Sequence, residues 1–146
     1  MAEELFKKIF PIYARNFDKA GENSTEIKSI LKNLQLDTGT VRRAVVVAFE
    51  AEMNVVMYAT TPGTLTFVIT DEDIQIEVKD HGPGIPDIEL AMKEGYSTAS
   101  DEMREMGFGF GMGLPNIKRN SDQLNIETSV GKGTTISARI KLNYHG

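Results

Sequence analysis
The sequence has no cysteine, two histidines, and 16 basic residues against 21 acidic ones. Without cysteine there can be no disulfide, zinc thiolate site or thiol catalysis, and the absence suits a reducing, cytoplasmic setting. Two histidines, His81 and His145, argue against a multi-histidine metal centre. A net charge of −5 argues against direct nucleic-acid binding, because phosphate contacts favour a basic surface. The opening stretch MAEELFKKIFPIYARNFDKAG has no long uncharged apolar run, so neither a signal peptide nor a membrane span is expected. No internal repeat or low-complexity tract is evident. What remains is 146 residues, 40% hydrophobic and 25% charged, suited to one compact domain over residues 1–146.

Alternation over residues 5–17 suggests a strand, with Pro11 favouring a sheet edge or a bulge. Asn23 with Glu26 resembles a helix N-cap and its capping-box partner, and Ile27, Ile30, Leu31 and Leu34 follow at helical spacing. Thr40 to Ala59 is the longest apolar segment. It is too long for a typical strand and is stopped by TTPG, so it reads as a buried helix. Residues 65–70 and 74–79 alternate around an acidic turn, as a hairpin does. A short helix over 86–95 ending at Gly95, a mobile loop over 96–112 and a helix beginning at Leu114 are expected next. Strands near 123–129 and 134–142 then flank the turn VGKG.

The chemistry-bearing positions fall on these elements. In VKDHGPGIPD, strand parity places Asp80 on the face of Ile74, Ile76 and Val78. An inward carboxylate needs hydrogen-bond donors. Gly82 and Gly84 permit unusual backbone angles and close approach of a ligand, although an aspartate capping a tight turn explains the same letters. Glu50 and Asn54 share one face of the long helix, being four apart. A carboxylate can take a proton or orient water. An amide oxygen can ligate Mg²⁺. Glu52, Arg42 and Arg43 mark polar positions on this helix, which leaves a solvent-facing reading open for Glu50 and Asn54.

In MGFGFGMGLPNIKR, Gly107, Gly109, Gly111 and Gly113 alternate before a helix. Bare backbone amides beside a helix N-terminus suit an anion such as a di- or triphosphate. Neither the Rossmann fingerprint nor a Walker A loop is present, and VGKGTT has the wrong spacing for the latter. A plain linker would not carry Phe108, Phe110 and Met112. Thr134 shares inward parity with Ile136, Ala138 and Ile140, where a β-branched residue is also favoured simply as a strand former.

The order of these signals is E-x-x-x-N on a helix, D-x-G-x-G-I, alternating glycines, then G-x-G-T-T. It resembles the Bergerat (GHKL) ATP-binding fold of gyrase-type ATPases, Hsp90, histidine kinases and MutL. The short chain is similar to the bacterial anti-sigma factor/serine-protein kinase family, in its anti-sigma regulatory, switch-kinase-like branch. The similarity covers nearly the whole chain, best from Val41 to Ile140. It implies an α/β sandwich, an α+β arrangement of one mixed, mostly antiparallel sheet with helices on one face.

The resemblance also assigns roles. Glu50 would be the base that activates a hydroxyl for attack on the γ-phosphate, and Asn54 the Mg²⁺ ligand. Asp80 would accept from the adenine amino group, with Thr134 joining it through water. Gly82, Gly84 and Ile85 would line the base. Gly107, Gly109, Gly111, Gly113 and Leu114 would form the phosphate lid and its helix. ATP or ADP with Mg²⁺ are the implied cofactors. A STAS-domain antagonist, a sigma factor, or both are the implied partners, with a possible homodimer and a role in transcription regulation. Two departures stand out: Val55 follows Asn54 where alanine is common, and the lid carries Asp101, Glu102, Arg104 and Glu105. No helical hairpin with a phosphoacceptor histidine precedes the domain, so self-contained histidine autokinase activity is not expected. Three readings stay open: a serine/threonine kinase, a non-catalytic ATP-dependent regulator, and a detached histidine-kinase-like ATPase domain.

Overall fold
A computed structural model describes residues 3–93 and 113–142. Among them, strands β1 (Glu4–Ile12), β2 (Gly63–Thr70), β3 (Asp73–Asp80), β4 (Gln123–Ser129) and β5 (Gly133–Lys141) form one sheet in the order β1-β2-β3-β5-β4. Every pairing is antiparallel, so the parallel component expected of a mixed sheet does not occur among these residues. β1 and β4 are the edges, and Pro11 sits on β1 as its missing N–H requires.

Helices α1 (Glu22–Asn33), α2 (Thr38–Tyr58) and α4 (Gly113–Asn120) gather on one side of the sheet, with α3 (Ile88–Ala91) a single turn after β3. Even-numbered residues of β3 and β5 and odd-numbered residues of β2 point toward α2. Leu65, Phe67, Ile74, Ile76, Ile136 and Ile140 are all but fully buried there. Each such side chain contributes about 1.5–3 kcal/mol through burial. That burial explains how the β-branched run Val45–Val47 remains helical: tertiary packing outweighs a weak local preference. Asp37 caps α2 by accepting from the Thr40 amide at 3.2 Å, and the helix ends at Ala59 ahead of Pro62.

The expected start of α1 needs correcting. Its N-cap is Gly21, at a φ of 89°, and not Asn23. Asn23 donates instead to the Pro11 carbonyl at 2.8 Å, and Glu26 pairs with Lys8 on β1. A glycine cap offers no side-chain acceptor. Glu52, on α2, supplies one: its Oε1 accepts from the Ser24 amide at 3.4 Å. Glu52 is therefore not a solvent-facing polar position but is 2% exposed. Burial holds its carboxyl above the ordinary range, with the backbone amides of Ser24 and Asn23 pulling the other way.

Glu52→Ala should therefore destabilise the fold by about 2 kcal/mol in denaturant titration, because it strands buried amide donors. Glu52→Gln keeps an acceptor and should stay close to wild type. The raised carboxyl also fixes the sign with pH. The folded state holds this proton more tightly than the unfolded chain. The site's contribution therefore weakens as pH climbs from the ordinary glutamate value toward the raised one, and Glu52→Gln removes that slope.

α4 is anchored at its far end. Arg43 of α2 donates to the Asn120 carbonyl at 3.2 Å and pairs with Asp122 at 3.2 Å, while Leu114 and Ile117 join the core. The expected helix over 86–95 appears only as the turn Ile88–Ala91, capped by Asp87 through the Leu90 amide at 3.1 Å. Gly95 and the expected loop over 96–112 lie outside the described residues. No helix among the described residues is long and apolar enough to cross a membrane.

Candidate functional site
β3 carries Asp80 at its end with the parity expected, and the carboxylate is 7% exposed. Its Oδ1 accepts from the Gly82 amide at 2.8 Å, so the turn-capping reading is correct as far as one oxygen goes. Directly across the ladder lies Thr134, 4% exposed, also on the inward face. A buried carboxylate and a buried hydroxyl thus sit side by side where the sheet meets the C-terminal end of α2.

The glycines make that meeting possible. A Cβ on Gly82 would stand 2.9 Å from the Cα of Ala59, the residue that ends α2. Gly84, at a φ of 80°, presses on the Ser129 carbonyl, which a Cβ would approach to 2.5 Å. Gly133, at a φ of 122°, lies under Asp80 itself: a Cβ there would be 2.1 Å from the Asp80 carbonyl oxygen. The sequence suggested that Gly82 and Gly84 allow a ligand near. In the fold, the close neighbours are the protein's own α2 and β4–β5 turn.

Glu50 lies farther back on α2, half-buried, with its carboxyl raised by burial. A Cβ on Gly113 would lie 3.2 Å from its Oε2, which places the carboxylate against the first residue of α4. Asn54, also half-buried, lies one turn along α2 from Glu50 toward Ala59. The run from Glu50 to Ala59 spans about 13 Å by helical rise. Leu114 turns its side chain into the core at 8% exposure, leaving its backbone as the part able to face a ligand. Gly107, Gly109 and Gly111 lie outside the described residues.

One residue went unnoticed in the sequence and another, Glu52, was taken only as a polar position of the helix. Thr128 accepts from the Ile85 amide at 2.8 Å and lies 3.0 Å from the Thr134 hydroxyl. The parity that flagged Thr134 would have found it, since Leu124, Ile126 and Thr128 share the inward face of β4. Glu52 was detectable too: with Ala48, Val55, Val56 and Ala59 it follows the buried stripe of α2.

Residues 39–144 match the family described as histidine kinase-, DNA gyrase B-, and HSP90-like ATPases. The chain belongs to this family. Among curated proteins, the serine/threonine-protein kinase RsbT of Bacillus subtilis is 31% identical over 114 residues. That match covers 76% of this chain and 80% of RsbT. An anti-sigma F factor of Caldanaerobacter subterraneus is 28% identical over 134 residues, covering 92% of this chain and 81% of the relative.

The ATPase fold itself is matched by the crystal structure of the RsbU and RsbW domains of a Mycobacterium tuberculosis protein. Its TM-score is 0.63 at 14% identity, over 94% of this chain and 33% of that one, so this chain spans a third of that structure's length. The mycobacterial sensor histidine kinase MprB gives a TM-score of 0.52 at 16% identity, over 94% of this chain and 99% of that one. At these identities the likeness concerns the fold.

Proposed function
We propose that residues 1–146 act as a single ATPase domain with ATP- and Mg²⁺-dependent serine/threonine kinase activity in a partner-switching pathway. The substrate is a STAS-type antagonist protein, and a sigma factor is the second partner. The observation that carries this reading is a pair of carboxylates, Glu50 on α2 and Asp80 at the end of β3 beside the C-terminal end of that helix. Buried Asp80 faces Thr134 near Ala59, and Glu50 meets the start of α4 at the other end. The names of the relatives, a serine/threonine kinase and an anti-sigma factor, support the choice of chemistry and partners.

The residues fit the ligands required. Asp80 has one oxygen held by Gly82, and its second can accept from the adenine amino group. Among the described residues no three acidic or histidine side chains cluster as a metal cage. A lone amide oxygen at Asn54 suits Mg²⁺, which is commonly held by one or two protein oxygens together with phosphates and water. When bound, Mg²⁺ neutralises charge developing on the phosphates. Glu50 takes the proton from the attacking hydroxyl. Glu50 lies on α2 and Asp80 at the end of β3, which packs against that helix, so the fold holds the two at a fixed separation and catalysis rests largely on placement. Gly107, Gly109, Gly111 and Gly113 are the residues assigned to the phosphates. Retention of both Glu50 and Asn54 favours catalysis over a purely conformational role for ATP. The protein works in the cytoplasm. A homodimer would cover Leu5 and Ile9 of the edge strand β1, which are 60% and 58% exposed.

The test is incubation with labelled ATP, Mg²⁺ and a STAS-domain partner, beside calorimetric ATP titration. Phosphoserine or phosphothreonine should form on the partner, and Asp80→Asn should weaken ATP binding at least tenfold, since it turns an acceptor toward donor character. Unchanged ATP affinity in Asp80→Asn would remove the base-reading assignment.

A further inference from the structure
Thr128, on the edge strand β4, stands beside Thr134 of β5 at the base-reading end of the site. Its Oγ1 has three polar neighbours: the Ile85 amide at 2.8 Å, the Thr134 Oγ1 at 3.0 Å and the Gly133 carbonyl at 3.3 Å. A hydroxyl has one proton and two lone pairs. The Ile85 amide can only donate, and the Gly133 carbonyl can only accept. All three contacts are hydrogen bonds together in one arrangement alone. Thr128 accepts from Ile85, donates to Gly133, and accepts the proton of Thr134. The Thr134 oxygen, its proton spent inward, is left with lone pairs toward the pocket.

We infer that Thr128 is a positioning residue for nucleobase selection: it holds Thr134 as an acceptor, so that Asp80 and Thr134 present an all-acceptor face. Such a face fits a purine bearing an amino group at position 6. It disfavours a 6-oxo purine, whose carbonyl oxygen would meet acceptors only. The same hydroxyl pins the loop through Ile85, and the Gly131 amide donates to the Pro83 carbonyl at 2.9 Å, so loop and turn hold each other. Thr128 therefore acts on the base through Thr134 and need not touch it.

This inference rests on Asp80 and Thr134 being the base-reading pair, and the experiment separates the two claims. Affinities for ATP and for inosine triphosphate, which differ at the 6-position edge, are measured by calorimetry for wild type, Thr128→Val, Thr128→Ala and Thr128→Ser. Wild type should prefer ATP. Thr128→Val frees the Thr134 proton to turn outward, and the preference should narrow by roughly three- to tenfold, the scale of one neutral hydrogen bond. Thr128→Ala should behave likewise, covering the case in which valine disturbs folding. Thr128→Ser keeps the hydroxyl and should restore the wild-type ratio. A purely structural role would weaken both nucleotides in parallel and leave the ratio fixed. That result in the valine or alanine variant, or a serine variant that loses the preference, overturns the inference. Failure of the base-reading assignment shows separately, as unchanged ATP affinity in Asp80→Asn.

Discussion

Glu50→Gln is expected to lower phosphoryl transfer to the partner by about 10²- to 10⁴-fold, the range a positioned general base supplies, while ATP affinity stays within a few-fold of wild type. Glutamine is nearly isosteric, so the carboxylate's place against Gly113 is kept and only its basicity is lost. Labelled-ATP transfer and calorimetric titration read the two effects separately. Burial raises the Glu50 carboxyl, and the base works only when deprotonated. The acidic limb of the wild-type rate profile should therefore lie above the ordinary glutamate range. Below that limb Glu50 is protonated and transfer falls; above it transfer levels off. Transfer within tenfold of wild type in Glu50→Gln would take the proton-accepting role away from this residue.

The second large effect is structural. Gly133→Ala should destabilise the protein by about 3 kcal/mol or more and abolish measurable ATP binding. Two causes add. The φ of 122° is one that residues with a Cβ rarely adopt, and the Cβ would lie 2.1 Å from the Asp80 carbonyl and 2.8 Å from the Cα of His81. Backbone on both sides leaves no flexible side chain to give way, so β3 or β5 must shift. Gly131→Ala is the matched control. Its φ is also positive, at 80°, but nothing lies within 4 Å of the added atom. It should cost only the conformational term, about 1–2 kcal/mol, and spare binding. Denaturant titration of both variants separates clash from backbone strain.

Much of this was readable in the sequence, for reasons that differ by element. Asp80 and Thr134 were found by period-two parity, and they proved to be direct cross-strand neighbours. Parity works there because β3 and β5 are central strands with one buried face. The start of α1 was misread because capping is local in sequence only when the cap lies next to its helix. Here the acceptor, Glu52, comes from another helix. A list of side-chain types treats Glu52 as polar surface, although its position on the stripe with Ala48 and Val55 says otherwise. The glycines were legible as necessary, but not for their reason. That Gly133 lies beneath Asp80 follows from strand order, which places β5 against β3 and pushes β4 to the edge. Nothing in the local spacing of VGKGTT encodes that neighbour.

Strand order has a further consequence, in the timing of synthesis. β2 and β3 form a hairpin that can close soon after both are made. β3 then waits with one edge bare, because β5, its other neighbour, is separated from it by α3, α4 and β4. Pairing distant segments is slow, since the chain between them must be ordered before the contacts repay it. Until β5 arrives, Asp80 has no Thr134 opposite and no Gly133 beneath. A ribosome-bound chain halted at Ser129 would hold Glu50, Asn54 and Asp80 and still lack the strand that faces Asp80. A ligand bound across β3 and β5 would engage only chains whose sheet is closed and add its binding energy to them alone.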